Sequence, residues 1–143
     1  MVNDILILDT GQNLVGVYSV ESRKYVPYRG RRIGIAIDRI EKAREIVTYN
    51  GNRYDLTELR NFKSSLGGSD LRIRGVHTDM REVCWSTRIL GSNLYKTYSL
   101  HFPKTPCFPN THEGSNRTDI YMTFKLWRLW KQGRLKALDG KQL

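Results

Sequence analysis

The sequence has few of the residues that staple or anchor a chain. Of its 143 residues only two are cysteine, Cys84 and Cys107, and they form neither a CxxC nor a zinc-type spacing. That pattern indicates a reducing compartment and no metal site built on thiolates. No stretch approaches the roughly eighteen apolar residues of a membrane span, and "MVNDILILDTG" carries no basic segment ahead of its apolar run. The expectation is a soluble, intracellular, cytoplasmic protein. Proline is scarce, and three of the four prolines crowd into "HFPKTPCFPNTHEGSN", which marks that segment as loop. No internal repeat or low-complexity tract is visible. Acids are also outnumbered: 14 Asp and Glu face 24 Lys and Arg, a net charge of +10. Such a balance favours an anionic partner, nucleic acid above all, although a solvated basic surface or an acidic protein partner would have the same composition.

What is present is a set of short apolar runs. Residues 1–143 are enough for one domain with a real core. "DILILDT" suits a strand buried on both faces. "NLVGVYSV" and "KYVPY" follow after gaps too short for a crossover helix, so the three strands should run as an antiparallel meander. Pro27 lacks an amide donor and places the third strand near the sheet edge. Ile33, Ala36, Ile37, Ile40 and Ala43 then recur at helical spacing, with Asp38 and Lys42 as an i,i+4 pair. "IVTY" reads as a buried strand ended by Asn50-Gly51, and a helix leaves from Asp55 to end at Gly67-Gly68. "LRIRGVHTDM" predicts another strand ending in Asp79, followed by a helix to about Leu90 and a short one within "GSNLYKTYSL". "NRTDIYMTFKLWRLWKQGRLKAL" is the longest helical stretch, with Asn116 and Thr118 as candidate caps and Trp127 and Trp130 on its apolar side. The fold class is α/β: a mixed five-stranded sheet, three strands in an antiparallel meander and two parallel, with helices on both faces.

Asp9, Asp55 and Asp119 share a type of position. Each stands where an element ends or begins beside the sheet, and ligand sites of α/β sheets gather at such ends. If the first and fourth strands are adjacent and parallel, Asp9 and Asp55 emerge side by side, and the last helix can bring Asp119 to them. Three adjacent carboxylates suit Mg²⁺ or Mn²⁺, the ions of phosphoryl-transfer sites. The plainer alternative is two helix caps and a solvated strand end, since Asp is a preferred N-cap.

The motifs resemble those of the DEDD 3'-5' exonuclease superfamily, which has a ribonuclease H-like fold. "ILDTG" lies where the family has a strand ending in Asp-x-Glu. "YNGNRYDL" is similar to the second motif, Asn-x-x-x-Phe-Asp, through Asn50, Tyr54 and Asp55. "HTDM" matches the following strand that ends in Asp79, and "NRTDIYMTFKLW" resembles the third motif through Asp119, Thr123 and Leu126-Trp127. The resemblance implies a metal-dependent nuclease acting from a 3' end, with Asp9, Asp55 and Asp119 as metal ligands and catalytic groups. Two positions depart from it. Gly11 stands where the family has Glu, and Ser115 where it has Tyr or His. A missing carboxylate lowers the charge that retains a second ion, and its loss is worth several powers of ten in rate. Weakened activity, binding without cleavage, or a structural subunit on the same scaffold are therefore the competing expectations. His112 and Glu113 are the nearby groups available as substitutes.

The positive charge concentrates in Arg29, Arg31 and Arg32, in Arg72 and Arg74, and in Lys125, Arg128, Lys131, Arg134 and Lys136. Arg117 precedes the expected helix start and is placed to meet a phosphate beside Asp119. Arg117, Lys125 and Arg128, with Asn50 and Tyr54, are the candidate contacts to single-stranded nucleic acid or a 3' end. Tyr49, Tyr54, Tyr95 and Tyr98 are candidate stacking platforms. His77 reads as packing.

Overall fold

Leu6, Ile7 and Leu8 need burial on both faces, and the middle of a sheet supplies it. In the computed structural model, which describes residues 2–86, 93–106 and 108–136, they lie on β1 (Val2–Gly11). All three are at most 1% exposed. β1 turns back into β2 (Leu14–Ser19) through Gln12 and Asn13, both with positive φ (52° and 57°). That two-residue turn matches the twist of an antiparallel pair. β3 (Lys24–Arg29) completes the meander and takes the sheet edge, with Pro27 in it. After a 3₁₀ turn at Gly30–Arg32, α1 (Ile33–Lys42) buries Ile33, Ala36, Ile37 and Ile40 as its spacing predicts. Asp38 and Lys42 pair on its exposed side at 3.0 Å.

β4 (Ala43–Thr48) runs parallel to β1, with Ile7 opposite Val47. α2 (Asp55–Ser65) follows, then β5 (Val76–Asp79), parallel to β4. The sheet order is β3-β2-β1-β4-β5. α3 (Met80–Ser86), α4 (Leu94–Ser99) and α5 (His112–Lys131) complete the chain. The sheet separates two apolar cores. Leu6, Leu8, Val15, Val17 and Ile46 face α1 and α2. Ile7, Val47, Met80, Ile120, Leu126 and Trp127 fill the face covered by α3, α4 and α5. Trp127 is core, and its indole N–H donates to the buried Glu45 carboxylate at 3.1 Å. Among the described residues no helix is long and apolar enough to cross a membrane.

The structure corrects the sequence reading at three boundaries. Ala43, expected on the apolar face of the first helix, instead opens β4, because α1 ends at Lys42. The strand expected from Leu71 begins only at Val76. Leu71 and Ile73 do pack on the α1–α2 core, but the amides that follow each of them bind the end of α1: Arg72 N donates to the Glu41 carboxylate (2.7 Å) and Arg74 N to the Glu41 carbonyl (3.1 Å). Their alternation belongs to a strap along a helix end. α5 begins at His112, ahead of the expected caps. The Thr111 hydroxyl caps it by accepting Gly114 N at 3.0 Å. Asn116 and Thr118 are therefore interior, and the Thr118 hydroxyl returns to the Gly114 carbonyl. The parts of the last three expected helices that cover 87–92 and 137–138 lie outside the described residues.

Candidate functional site

Strand alternation decides what β1 offers at its carboxyl end. Asp9 follows Ile5 and Ile7 onto the α5 face, while Thr10 follows Leu6 and Leu8 toward α2. Because β4 is parallel to β1, the turn after β4 releases α2 beside Thr10. Asp55 is the first residue of α2, and its carboxylate does not cap the helix. Instead its Oδ1 accepts from Thr10 Oγ1 at 2.7 Å and Thr10 N at 3.2 Å. The plain capping alternative for Asp55 is thereby corrected: the side chain points back to the central strand.

Asp79 shapes the turn between β4 and α2. Its carboxylate accepts Asn50 N (2.6 Å), Asn52 N (3.1 Å) and Arg81 N (3.0 Å). It thus fixes the turn, in which Asn50 has a left-handed backbone (φ 66°), and caps α3. His77 is packing, with Nε2 2.8 Å from Thr48 Oγ1.

From the other side α5 docks through Asn116. Its amide nitrogen donates to the Asp9 carbonyl (2.9 Å), with the Asp9 carboxylate at 3.4 Å, and its amide oxygen accepts the Tyr25 hydroxyl (2.7 Å). Gly16 lies opposite Asp9 on β2, and a Cβ there would fall 1.7 Å from the Asn116 oxygen. The missing side chain lets α5 approach the strand. One helical turn on, Asp119 and Thr123 reach the same opening, and the Thr123 hydroxyl is tied to the Asp119 carbonyl at 2.8 Å.

Asp9, Asp55 and Asp119 line one open cavity of about 560 Å³, together with Thr10, Asn50, Tyr54, Arg81 and Thr123. Burial drives all three carboxyls up. Asp9 lies well above the usual carboxylate range, with the Asp55 and Asp119 charges adding to burial. Asp55 is pushed up to about 6 by burial against the pull of the two Thr10 bonds, with Asp79 and Asp119 adding to the rise. Burial likewise raises Asp119 to about 6. Like charges gathered in a half-dry cavity resist ionising together. The donor chemistry fits a hard divalent cation. The carboxylates do not form a closed ligand set, however: among the described residues, no three or more His, Cys, Asp or Glu side chains meet as a metal-holding group.

The other sequence-derived candidates divide. Asn50 and Tyr54 line the cavity, and Tyr54 is 55% exposed. Arg117, Lys125 and Arg128 do not. Arg117 lies within α5, over the rings of Tyr25 (5.4 Å) and Phe108 (4.7 Å). Lys125 lies over Phe102 and Tyr121, and Arg128 over Phe124. Gly11 has φ 158° with open space where a Cβ would stand, and neither it nor Ser115 is among the cavity's lining residues. Glu113 pairs with Arg29 at 3.1 Å, and His112 merely opens α5. Tyr98 is buried, which removes it as a stacking platform, whereas Tyr49 packs on the α5-side core and also lines the carboxylate cavity. Sequence reasoning missed Thr10, Asn116 and Tyr25. Gly16 inside an otherwise bulky strand is the one local sign of a close approach there.

A meander joined to two parallel strands in the order β3-β2-β1-β4-β5, with helices on both faces, is a ribonuclease H-like α/β arrangement. The solved structure of the family B DNA polymerase from the hyperthermophilic archaeon Pyrobaculum calidifontis is similar over 91% of this chain, with a TM-score of 0.65 and 15% identity. The chain spans about a quarter of that polymerase, 25% of its length, and at this identity the likeness speaks for the fold alone. No protein-family model matches the chain, and no curated protein does.

Proposed function

We propose that this protein acts on nucleic acid at the cavity of Asp9, Asp55 and Asp119, as a weakened metal-dependent 3'-5' exonuclease-like hydrolase. One observation carries the reading. Carboxylates from β1, α2 and α5 converge on one cavity at the carboxyl end of the central strand, and all three are held above their ordinary range. Such a cluster of raised carboxyls is stabilised by a cation. Asp9, Asp55 and Asp119 are the residues that would hold Mg²⁺ or Mn²⁺, which supplies Lewis-acid polarisation of a phosphate and of water. Asn116 orients Asp9, Thr10 orients Asp55, and the +10 net charge attracts the polyanion.

A second reading is a binding module on the same scaffold without turnover. It is favoured by Gly11, which supplies no fourth carboxylate, and by the Thr10 bonds that already engage Asp55. The test pairs thermal melts in millimolar Mn²⁺ or Mg²⁺ with cleavage of end-labelled single strands. The nuclease reading expects metal to raise Tm and shorten a 5'-labelled strand stepwise, with Asp55→Asn abolishing both. Binding without metal stabilisation or cleavage supports the module.

A further inference from the structure

We infer that the groove between α5 and the β2–β3 hairpin is a track for single-stranded nucleic acid, with Arg23, Arg117 and Arg128 on the phosphates and Tyr121 against the bases. The inference rests on the proposed nucleic-acid function and locates the strand on the flank of α5 away from Asp119.

The groove consists of two adjoining cavities, of about 250 and 390 Å³, that share Tyr18, Arg23 and Phe124. Arg117, Tyr121, Phe124 and Arg128 follow one another at steps of four, three and four, so they form one stripe of the helix. Asp119 and Thr123 fall on a different flank, at the carboxylate cavity. From Arg117 to Arg128 the stripe is about 16 Å long, enough for a few nucleotides. Arg23 faces it from the hairpin.

Three features favour a polynucleotide over other occupants. First, the guanidiniums are available: the ion pairs among the described residues use Arg29, Arg39, Lys42 and Lys63, and none engages Arg23, Arg117 or Arg128. Second, the arginines are laid over rings. Arg117 sits over Tyr25 and Phe108, and Arg128 over Phe124 at 5.5 Å. A guanidinium held by its face keeps its N–H edge for a phosphate. The alternation of cation and aromatic suits phosphate and base in turn, whereas an acidic peptide would use the charges alone. Third, Arg23 closes the hairpin with a left-handed backbone (φ 59°), where glycine is unstrained. A bulky side chain there is strained, which a surface role for the arginine accounts for.

The experiment is fluorescence anisotropy with fluorescein-labelled oligo(dT) and oligo(U) of about twelve nucleotides, titrated across salt. Arg117→Ala and Arg128→Ala should each weaken binding about three- to tenfold, and each lost phosphate contact should reduce the log–log salt slope by about 0.7. Tyr121→Ala should weaken it at least about fivefold. Arg23→Gly should weaken it while Tm stays level or rises, a combination that a folding defect cannot produce. Arg60→Ala, on α2, is the control and should change nothing. If the wild type binds but the groove variants bind like it, or lose no more than Arg60→Ala, the groove assignment is wrong while the nucleic-acid reading stands. If the wild type binds neither probe, that reading fails and the groove with it. Polyglutamate competing as well as unlabelled oligonucleotide would overturn the track in favour of an acidic-protein surface.

Discussion

Replacing Asp55 by Asn should stabilise the protein at neutral pH and leave it unchanged in acid. The Asp55 carboxyl is buried beside Asp9 and Asp119, and burial raises it from an ordinary 3.8 to about 6. A group raised on folding contributes stability that is complete below its unfolded value and disappears as pH climbs through its folded one. Between pH 4 and pH 7 the ionised form therefore becomes a burden, of up to about 3 kcal/mol from a rise of that size. Asn stays neutral and keeps an oxygen for the Thr10 hydroxyl. At about 2–4 °C per kcal/mol for a domain near this length, the variant should melt up to about 10 °C above the parent at pH 7.5 and within a degree or so of it at pH 4. Glu41, lowered by Lys63 and the Arg72 amide despite its burial, has the opposite pH dependence. It is present in both proteins, so the difference reports Asp55 together with the effect of its charge on Asp9. Circular-dichroism melts at half-unit pH steps provide the measurement. A Tm difference that is negative, or constant across pH 4 to 7.5, would refute the account of Asp55 as a carboxyl raised by burial.

Gly16→Ala should cost about 1–3 kcal/mol by overpacking, because the new methyl meets the Asn116 amide; a Tm equal to wild type would show that α5 is not seated on β2 as described. Thr10→Val keeps shape and the backbone donor but removes the hydroxyl bond to Asp55, so it should lower stability by about 1–2 kcal/mol at pH 7.5 and by less at pH 4. Equal losses at the two pH values in urea titrations would contradict that. Trp127→Phe removes the indole donor from the buried Glu45 and should cost about 1–3 kcal/mol in the same titration; an unchanged midpoint would mean that the Thr78 hydroxyl, which also donates to Glu45 at 2.9 Å, satisfies the carboxylate by itself.

The meander was legible because its links admit no crossover, whereas β1 beside β4 stood only as a condition in the sequence reading, one that the sheet order meets. The convergence of Asp9, Asp55 and Asp119 could be expected from motif order along the chain. What the sequence hid was phase and partner. Thr111 looks like loop beside three prolines, so the start of α5 was placed too late, and a helix begun several residues earlier redistributes its flanks. Arg117 accordingly belongs to the aromatic groove and not to the carboxylate cavity. Asp55 looks like a cap in any local window, because Thr10, the partner that draws it inward, is 45 residues away. Asn116 is equally opaque, since its partners Asp9 and Tyr25 are 107 and 91 residues distant.

Those separations also set an order of assembly. β1 to β4 with α1 and α2 complete one core by themselves, from residues close in the chain. The other core waits for α5, which closes contacts spanning most of the sequence and with them the loop-closure entropy of the longest loops. Docking α5 is also the step that brings the Asp119 charge against Asp9 and Asp55. The last association is thus opposed by like-charge repulsion that protonation relieves, and the docking of this helix is expected to depend on pH.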